Sequence, residues 1–124
     1  MNKFDLEERL TDFAVLIVEI CENMKDTKSS IHLVEQLIRS GASPALNYGE
    51  AQSSESRRDF VHKIKIALKK LRESYVCLKI IYRSKLYKSE GRIKLAINEN
   101  KELISIFVKS VETAQNILKH ELQQ

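Results

Sequence analysis

Apolar positions along the chain recur every three or four residues in four stretches, and no stretch shows the strict alternation of a strand. In the first, Leu6, Leu10, Phe13, Ile17, Ile20 and Met24 step by four and three without a miss, which predicts a helix from about Asp5 to Met24. The other residues of FAVLIV widen its apolar surface beyond one seam, as for a helix buried on two sides. A second helix is predicted to begin at Ser29 or Ser30, either of which can accept from first-turn amides. Ile31, Val34, Ile38, Gly41, Ala45 and Tyr48 share its face. The SGASPA stretch, Ser40 to Ala45, has loop propensity, yet the seam continues on both sides of it. The expectation is a helix that runs through Pro44 with a kink, its small residues letting a neighbour approach; a break at Pro44 is the alternative.

QSSES, Gln52 to Ser56, is the next link, with Ser54 or Ser56 as the cap. A third helix follows from about Arg57 to Leu86, with Phe60, Ile64, Ala67, Leu71, Leu78 and Ile81 on its seam and Ser74 among them. At ~1.5 Å per residue it is about 45 Å long. KSEGR, Lys88 to Arg92, reads as a turn in which Gly91 ends the connection. The fourth helix carries Ile97, Ile104, Phe107, Val111, Ala114 and Leu118, with Asn100 a polar interruption of the same seam. Four seams joined by short links predict an all-α fold, an antiparallel up-down-up-down four-helix bundle forming a single domain over residues 1–124.

Composition agrees: three Gly and one Pro leave few places to turn. The longest apolar run, Phe13 to Val18, is six residues, against ~20 needed to span a bilayer, so no membrane partner is expected. The opening MNKFDLEERL reaches acid and base before any apolar run, so no signal peptide is expected and the protein is read as cytoplasmic. Cys21 and Cys77 sit in apolar surroundings and read as two small buried thiols, a disulfide being unnecessary with this much core.

Charge adds the one clue to a partner. Residues 1–56 carry 5 basic and 10 acidic groups, residues 57–94 carry 13 and 3, and residues 95–124 carry 3 and 4. A strongly basic middle between mildly acidic flanks suits an anionic polymer. On a helical wheel Arg58, Lys65, Lys69, Arg72, Lys79 and Arg83 fall within roughly 80° of one another, a row that can track RNA or DNA phosphates. The first helix carries a matching acidic row, Glu8, Asp12, Glu19, Glu22 and Asp26. The two rows can therefore pair instead, inside a subunit or head-to-tail between neighbours, and head-to-tail contacts close into rings.

Between Gln36 and Glu73 the chain reads Gln36 and Arg39, then Ser43, Asn47 and Glu50, then SSES, then Arg57, Arg58, Asp59 and Phe60, then Ile66 and Ala67. This pattern resembles the small four-helix-bundle family of 23S rRNA intervening-sequence proteins, which includes the accessory variability proteins of diversity-generating retroelements. The sequence departs from that family at Ala51, where Gly is usual, and at Lys69 and Lys70, where small residues are usual. The resemblance implies a four-helix bundle, a homopentamer, and binding to nucleic acid or to a nucleic-acid enzyme such as a reverse transcriptase.

Ser43, Asn47 and Glu50 step along the second helix away from its seam and read as a structural polar network fixing register rather than as a ligand site. No Glu-x-x-His pair occurs, and no Gly-rich phosphate loop or nucleophile motif, so neither metal, cofactor nor catalysis is expected. Leu16 and Val18 on the first helix, and Leu103, Ile106 and Val108 on the fourth, exceed what one seam needs, which predicts an oligomer. The reading is a non-enzymatic ring-forming bundle that binds nucleic acid through its third helix. The alternative is a scaffold whose charge rows serve self-assembly and docking of a partner protein.

Overall fold

A computed structural model describes residues 1–124 as four helices, α1 (Lys3–Glu22), α2 (Lys28–Gln52), α3 (Arg57–Arg83) and α4 (Glu90–Leu122), with no strand. Each helix starts from a polar cap whose side chain accepts from the amide three residues on: Asn2 from Asp5, Thr27 from Ser30, Ser56 from Asp59 and Ser89 from Arg92. The cap of α2 is thus Thr27, not Ser29 or Ser30. Thr27 takes the extended conformation a cap needs, while Ser30 is already buried inside the first turn with its hydroxyl 2.9 Å from that of Thr27.

The end of α3 also departs from expectation. The helix stops at Arg83, and Lys85 adopts a positive φ of 56°. Its N–H donates to Tyr82, and the N–H of Leu86 donates to Ile81, which satisfies two carbonyls of the last turn. Leu86 then folds back into the core instead of extending the helix. Gly91, expected to end this connection, lies in the first turn of α4. A lysine takes the left-handed position that glycine usually fills.

The helices form a square in which α1–α2, α2–α3, α3–α4 and α4–α1 are adjacent, while α1/α3 and α2/α4 lie on the diagonals with no close backbone approach. The core is built from Leu10, Phe13 and Ile17 of α1, Leu37 of α2, Leu71 of α3 and Phe107 of α4, all inaccessible to solvent or nearly so. Tyr48 meets Phe107 edge to face at 5.8 Å. α2 runs unbroken through Pro44, whose ring is buried.

The buried face of α2 is Leu37, Ser40, Gly41, Pro44, Tyr48 and Ala51, rotated from the predicted seam; Ile31 is 62% exposed, and Val34, Ile38 and Ala45 are only half-buried. The cause is close approach to α1. A Cβ at Gly41 would lie 2.7 Å from Ile17 Cγ1 and 2.8 Å from Cγ2. Small residues bring the helix axes together, and larger apolar residues are left at the flanks.

Asn100 is fully buried between α3 and α4. Its Nδ2 donates to the Leu71 carbonyl at 2.9 Å, and its Oδ1 lies 3.0 Å from Ser74 Oγ. This pair is the buried polar link of the molecule. Across the looser α1–α4 seam, the Arg9 guanidinium makes two 2.7 Å bonds to Glu99 and also meets Glu102, while Arg92 clasps Glu19. α4 has 33 residues and α1 has 20, so the C-terminal turns of α4 extend past the start of α1.

Two stability outcomes are expected. Gly41→Ala should destabilise the protein by up to about 2 kcal/mol in chemical denaturation, because overpacking of ~1–3 kcal/mol is only partly offset by a helix-propensity gain of ~1 kcal/mol. Ile17→Ala should then cost less in that background than in the wild type; additive costs would refute the close contact. Ser74→Ala should cost ~1–3 kcal/mol by orphaning Asn100 Oδ1, whereas Ser74→Ala with Asn100→Leu should cost less than Ser74→Ala alone.

Candidate nucleic-acid interface

The outward face of α3, opposite its buried Ile64, Leu71 and Leu78, presents the predicted basic row. Arg58, Lys65, Lys69, Arg72 and Arg83 are exposed and Lys79 is half-buried, its ammonium resting 4.5 Å from the centre of the Tyr75 ring. None of the six makes an ion pair within the chain. The pairs that α3 does form lie on its flanks: Arg57 with Glu121, Lys63 with Glu50, and Lys70 with Glu73. The bond to Glu50 raises the pKa of Lys63. Flank charges are thus neutralised and the outer row is left open.

The acidic row is on α1, diagonally across the square from α3. Glu8, Asp12 and Glu22 are exposed and unpaired, Glu19 is engaged by Arg92 of α4, and Asp26 lies beyond the end of the helix. Pairing of the two rows inside one subunit is therefore excluded by topology. The Arg9 and Arg92 guanidinium groups are held still more firmly protonated by their bonds to Glu99 and Glu19.

Ser43, Asn47 and Glu50 do not form the expected network within the subunit. Glu50 reaches across to Lys63 at 2.8 Å, Asn47 Oδ1 is buried with no partner, and the three make no hydrogen bond with one another. The buried polar network is Ser74–Asn100 instead. It was signalled by the one polar residue on the α4 seam and a serine on that of α3.

No three His, Cys, Asp or Glu side chains gather as metal ligands. Cys21 and Cys77 are unbridged, their thiols facing the consecutive carbonyls of Val34 and Leu33. Burial pushes the Cys21 thiol up to about 12 and the Cys77 thiol up to about 11, which favours the protonated form of both at neutral pH.

The exposed apolar residues differ from those expected. Leu103 belongs to the core of its own subunit, and Leu16, Ile106 and Val108 are half-buried. Val18 is exposed as expected, together with Phe4 and Val15 on the outer face of α1. On α3, Val76 (51% exposed) and Ile80 (44%) interrupt the basic row and line a groove against Leu33 of α2.

The family model of the 23S rRNA-intervening sequence protein matches residues 2–109. The chain belongs to this family. The fold is shared with a crystal structure from Bacteroides thetaiotaomicron, described as a protein of unknown function from the S23 ribosomal protein family. The two chains are 26% identical, with a TM-score of 0.78 over 86% of this chain and 97% of the other. No curated protein matches. No helix is long and apolar enough to cross a membrane.

The thiols generate a pH prediction. Both have folded-state pKa values above the ordinary 9.0, so the native state holds protons that the unfolded chain releases. Stability they contribute is complete below pH 9 and declines as pH rises toward 11 and 12. Denaturation midpoints measured from pH 8 upward should fall less steeply in Cys21→Ala/Cys77→Ala than in the wild type. Equal slopes would contradict the burial of the thiols.

Proposed function

We infer that the protein is a non-enzymatic bundle that assembles as a ring and binds nucleic acid through the outer face of α3. The observation that carries this reading is the row Arg58, Lys65, Lys69, Arg72, Lys79 and Arg83, outward-facing and free of carboxylate partners while the flanking cations of the same helix are paired. Cations in a row at helical spacing meet phosphates without reading bases, so affinity is weakly selective in sequence. Membership of a family described by 23S rRNA-intervening sequences supports the partner class. Ring assembly is supported by the exposed Phe4, Val15 and Val18 of α1, an apolar strip with no partner in its own subunit. A pentamer is the proposed ring, and a reverse transcriptase or other nucleic-acid enzyme is a proposed associate.

A second reading has its own observation. The acidic, apolar-centred face of α1 complements the basic face of α3, where Val76 and Ile80 sit among the cations. In that reading the row is a docking surface for a neighbouring subunit or another protein.

One experiment separates the two. Binding to duplex and single-stranded probes should weaken with salt by about 0.9 or 0.7 in log–log slope for each phosphate contacted. Reversing Lys65, Lys69 and Arg72 to Glu should flatten that slope by about 2 to 3 with oligomer mass unchanged. If the same change instead collapses the oligomer to 14.4 kDa, the row is an assembly surface. A wild-type protein that binds neither probe at low salt overturns the nucleic-acid reading.

A further inference from the structure

The C-terminal end of α3 opens into a concave cleft of about 530 Å³ at one end of the bundle. Four cations from three segments line it: Lys25 from the α1–α2 link, Arg83 from the end of α3, and Lys85 and Lys88 from the α3–α4 link. None of the four makes an ion pair within the chain. The single carboxylate in the wall, Glu90, is already occupied, accepting from the Tyr82 hydroxyl at 3.0 Å with Lys94 at 3.9 Å. The cleft therefore sets four unpaired cations against one carboxylate, which already accepts a hydrogen bond from Tyr82.

The frame that holds these cations is built. The Lys25 N–H donates to the Leu86 carbonyl at 2.8 Å, which ties the two links together across the bundle end. The left-handed turn at Lys85 sends Leu86 into the core, so Lys85 and Lys88 spring from a chain anchored at Leu86 between them. α4 begins at Glu90, in the wall itself, and its N-terminus adds partial positive charge. Tyr82 and Tyr87, each half-buried, line the same space, with the Lys94 ammonium 5.5 Å from the centre of the Tyr82 ring.

The geometry points to a site for a phosphomonoester carried on a nucleoside, the terminal phosphate of a nucleic-acid strand being the source that continues the α3 row. A terminal phosphate carries close to two negative charges at neutral pH and three acceptor oxygens. A diester within a strand carries one charge. A pocket lined by several cations favours the first, whereas a linear row such as Arg58 to Lys79 suits the second. Arg83 belongs to both, so a strand lying along α3 has its end in the cleft. Tyrosine in the wall supplies a surface for the attached sugar and base. The source of the phosphate rests on the nucleic-acid reading above; the cleft itself does not.

The test uses the full chain and a labelled ten-nucleotide single strand with a 5′-hydroxyl, a 5′-phosphate or a 3′-phosphate. Uridine monophosphate and uridine are titrated in parallel, with backbone amide shifts read by NMR. One phosphorylated end should bind about three- to tenfold more tightly than the hydroxyl strand. Uridine monophosphate, but not uridine, should shift amides of residues 83–91 and Lys25. Lys85→Gln/Lys88→Gln, two exposed positions whose loss leaves helix content unchanged, should erase the phosphate increment and spare binding of the hydroxyl strand. Equal binding of all three strands, with no nucleotide-induced shift at the cleft, overturns the proposal. So does an increment that survives in Lys85→Gln/Lys88→Gln and vanishes in Lys65→Gln/Lys69→Gln. If no strand binds but the nucleotide shifts the cleft, the α3 reading fails and the phosphomonoester site stands.

Discussion

Short links make consecutive helices antiparallel neighbours, and in a four-membered square this forces the first and third onto a diagonal. The electrostatics of the protein follow from that constraint. α1 holds unpaired acids and α3 holds unpaired bases, and the core lies between them. Side chains on opposite outer faces cannot reach one another, so neither row can be neutralised by the other in one subunit. In the single subunit the unpaired charges of both rows face solvent. Ion pairs form between adjacent helices instead, among them Arg9 with Glu99 and Arg92 with Glu19, which reinforce the α1–α4 seam.

Two short-range contacts set how the helices sit in that square. Gly41 against Ile17 draws α1 and α2 together until there is no room for a methyl group. Asn100, bonded to Ser74 and to the Leu71 carbonyl, fixes α4 against α3, because sliding by one turn would bury an amide without partners. The first contact determines which face of α2 is buried, and the second determines its counterpart register across the bundle. Pro44 fits the same scheme: its ring lies on the buried face, where a small flat surface is tolerated and a lost backbone donor falls within an otherwise intact helix.

Helix number, order and approximate length were legible in the spacing of apolar residues, because each seam persists for five or more turns. The rotation of α2 was not. Ile31, Val34 and Ile38 are the more hydrophobic choice for a buried face, and only the proximity of α1 favours Ser40, Gly41 and Pro44 over them. The left-handed residue after α3 was also hidden, since Lys85 carries no mark of it and Gly91 offered an obvious but wrong site. The basic row and its exposure were legible as a period of three and four. Its freedom from intrachain partners was not, because that depends on which helix occupies the diagonal. Ser43, Asn47 and Glu50 show the converse. Their spacing suggested a network, but Glu50 reaches Lys63 more readily than Asn47.

The mismatch in helix length divides the molecule into two regimes. At ~1.5 Å per residue, α4 exceeds α1 by about 20 Å. Arg9 bonds Glu99 and Glu102, so the first turn of α1 is spent a little beyond residue 102 of α4. Past that level α1 is absent, and Val111 and Ala114 are buried and Leu118 half-buried without it. A three-helix section buries less of each helix than a four-helix section, so amide protons there open at lower free energy than those around Phe13 and Leu71. The two ends of the bundle therefore differ: the one carrying the α2–α3 link is a three-helix section, while the one bearing the cationic cleft has its two links tied by the Lys25–Leu86 hydrogen bond.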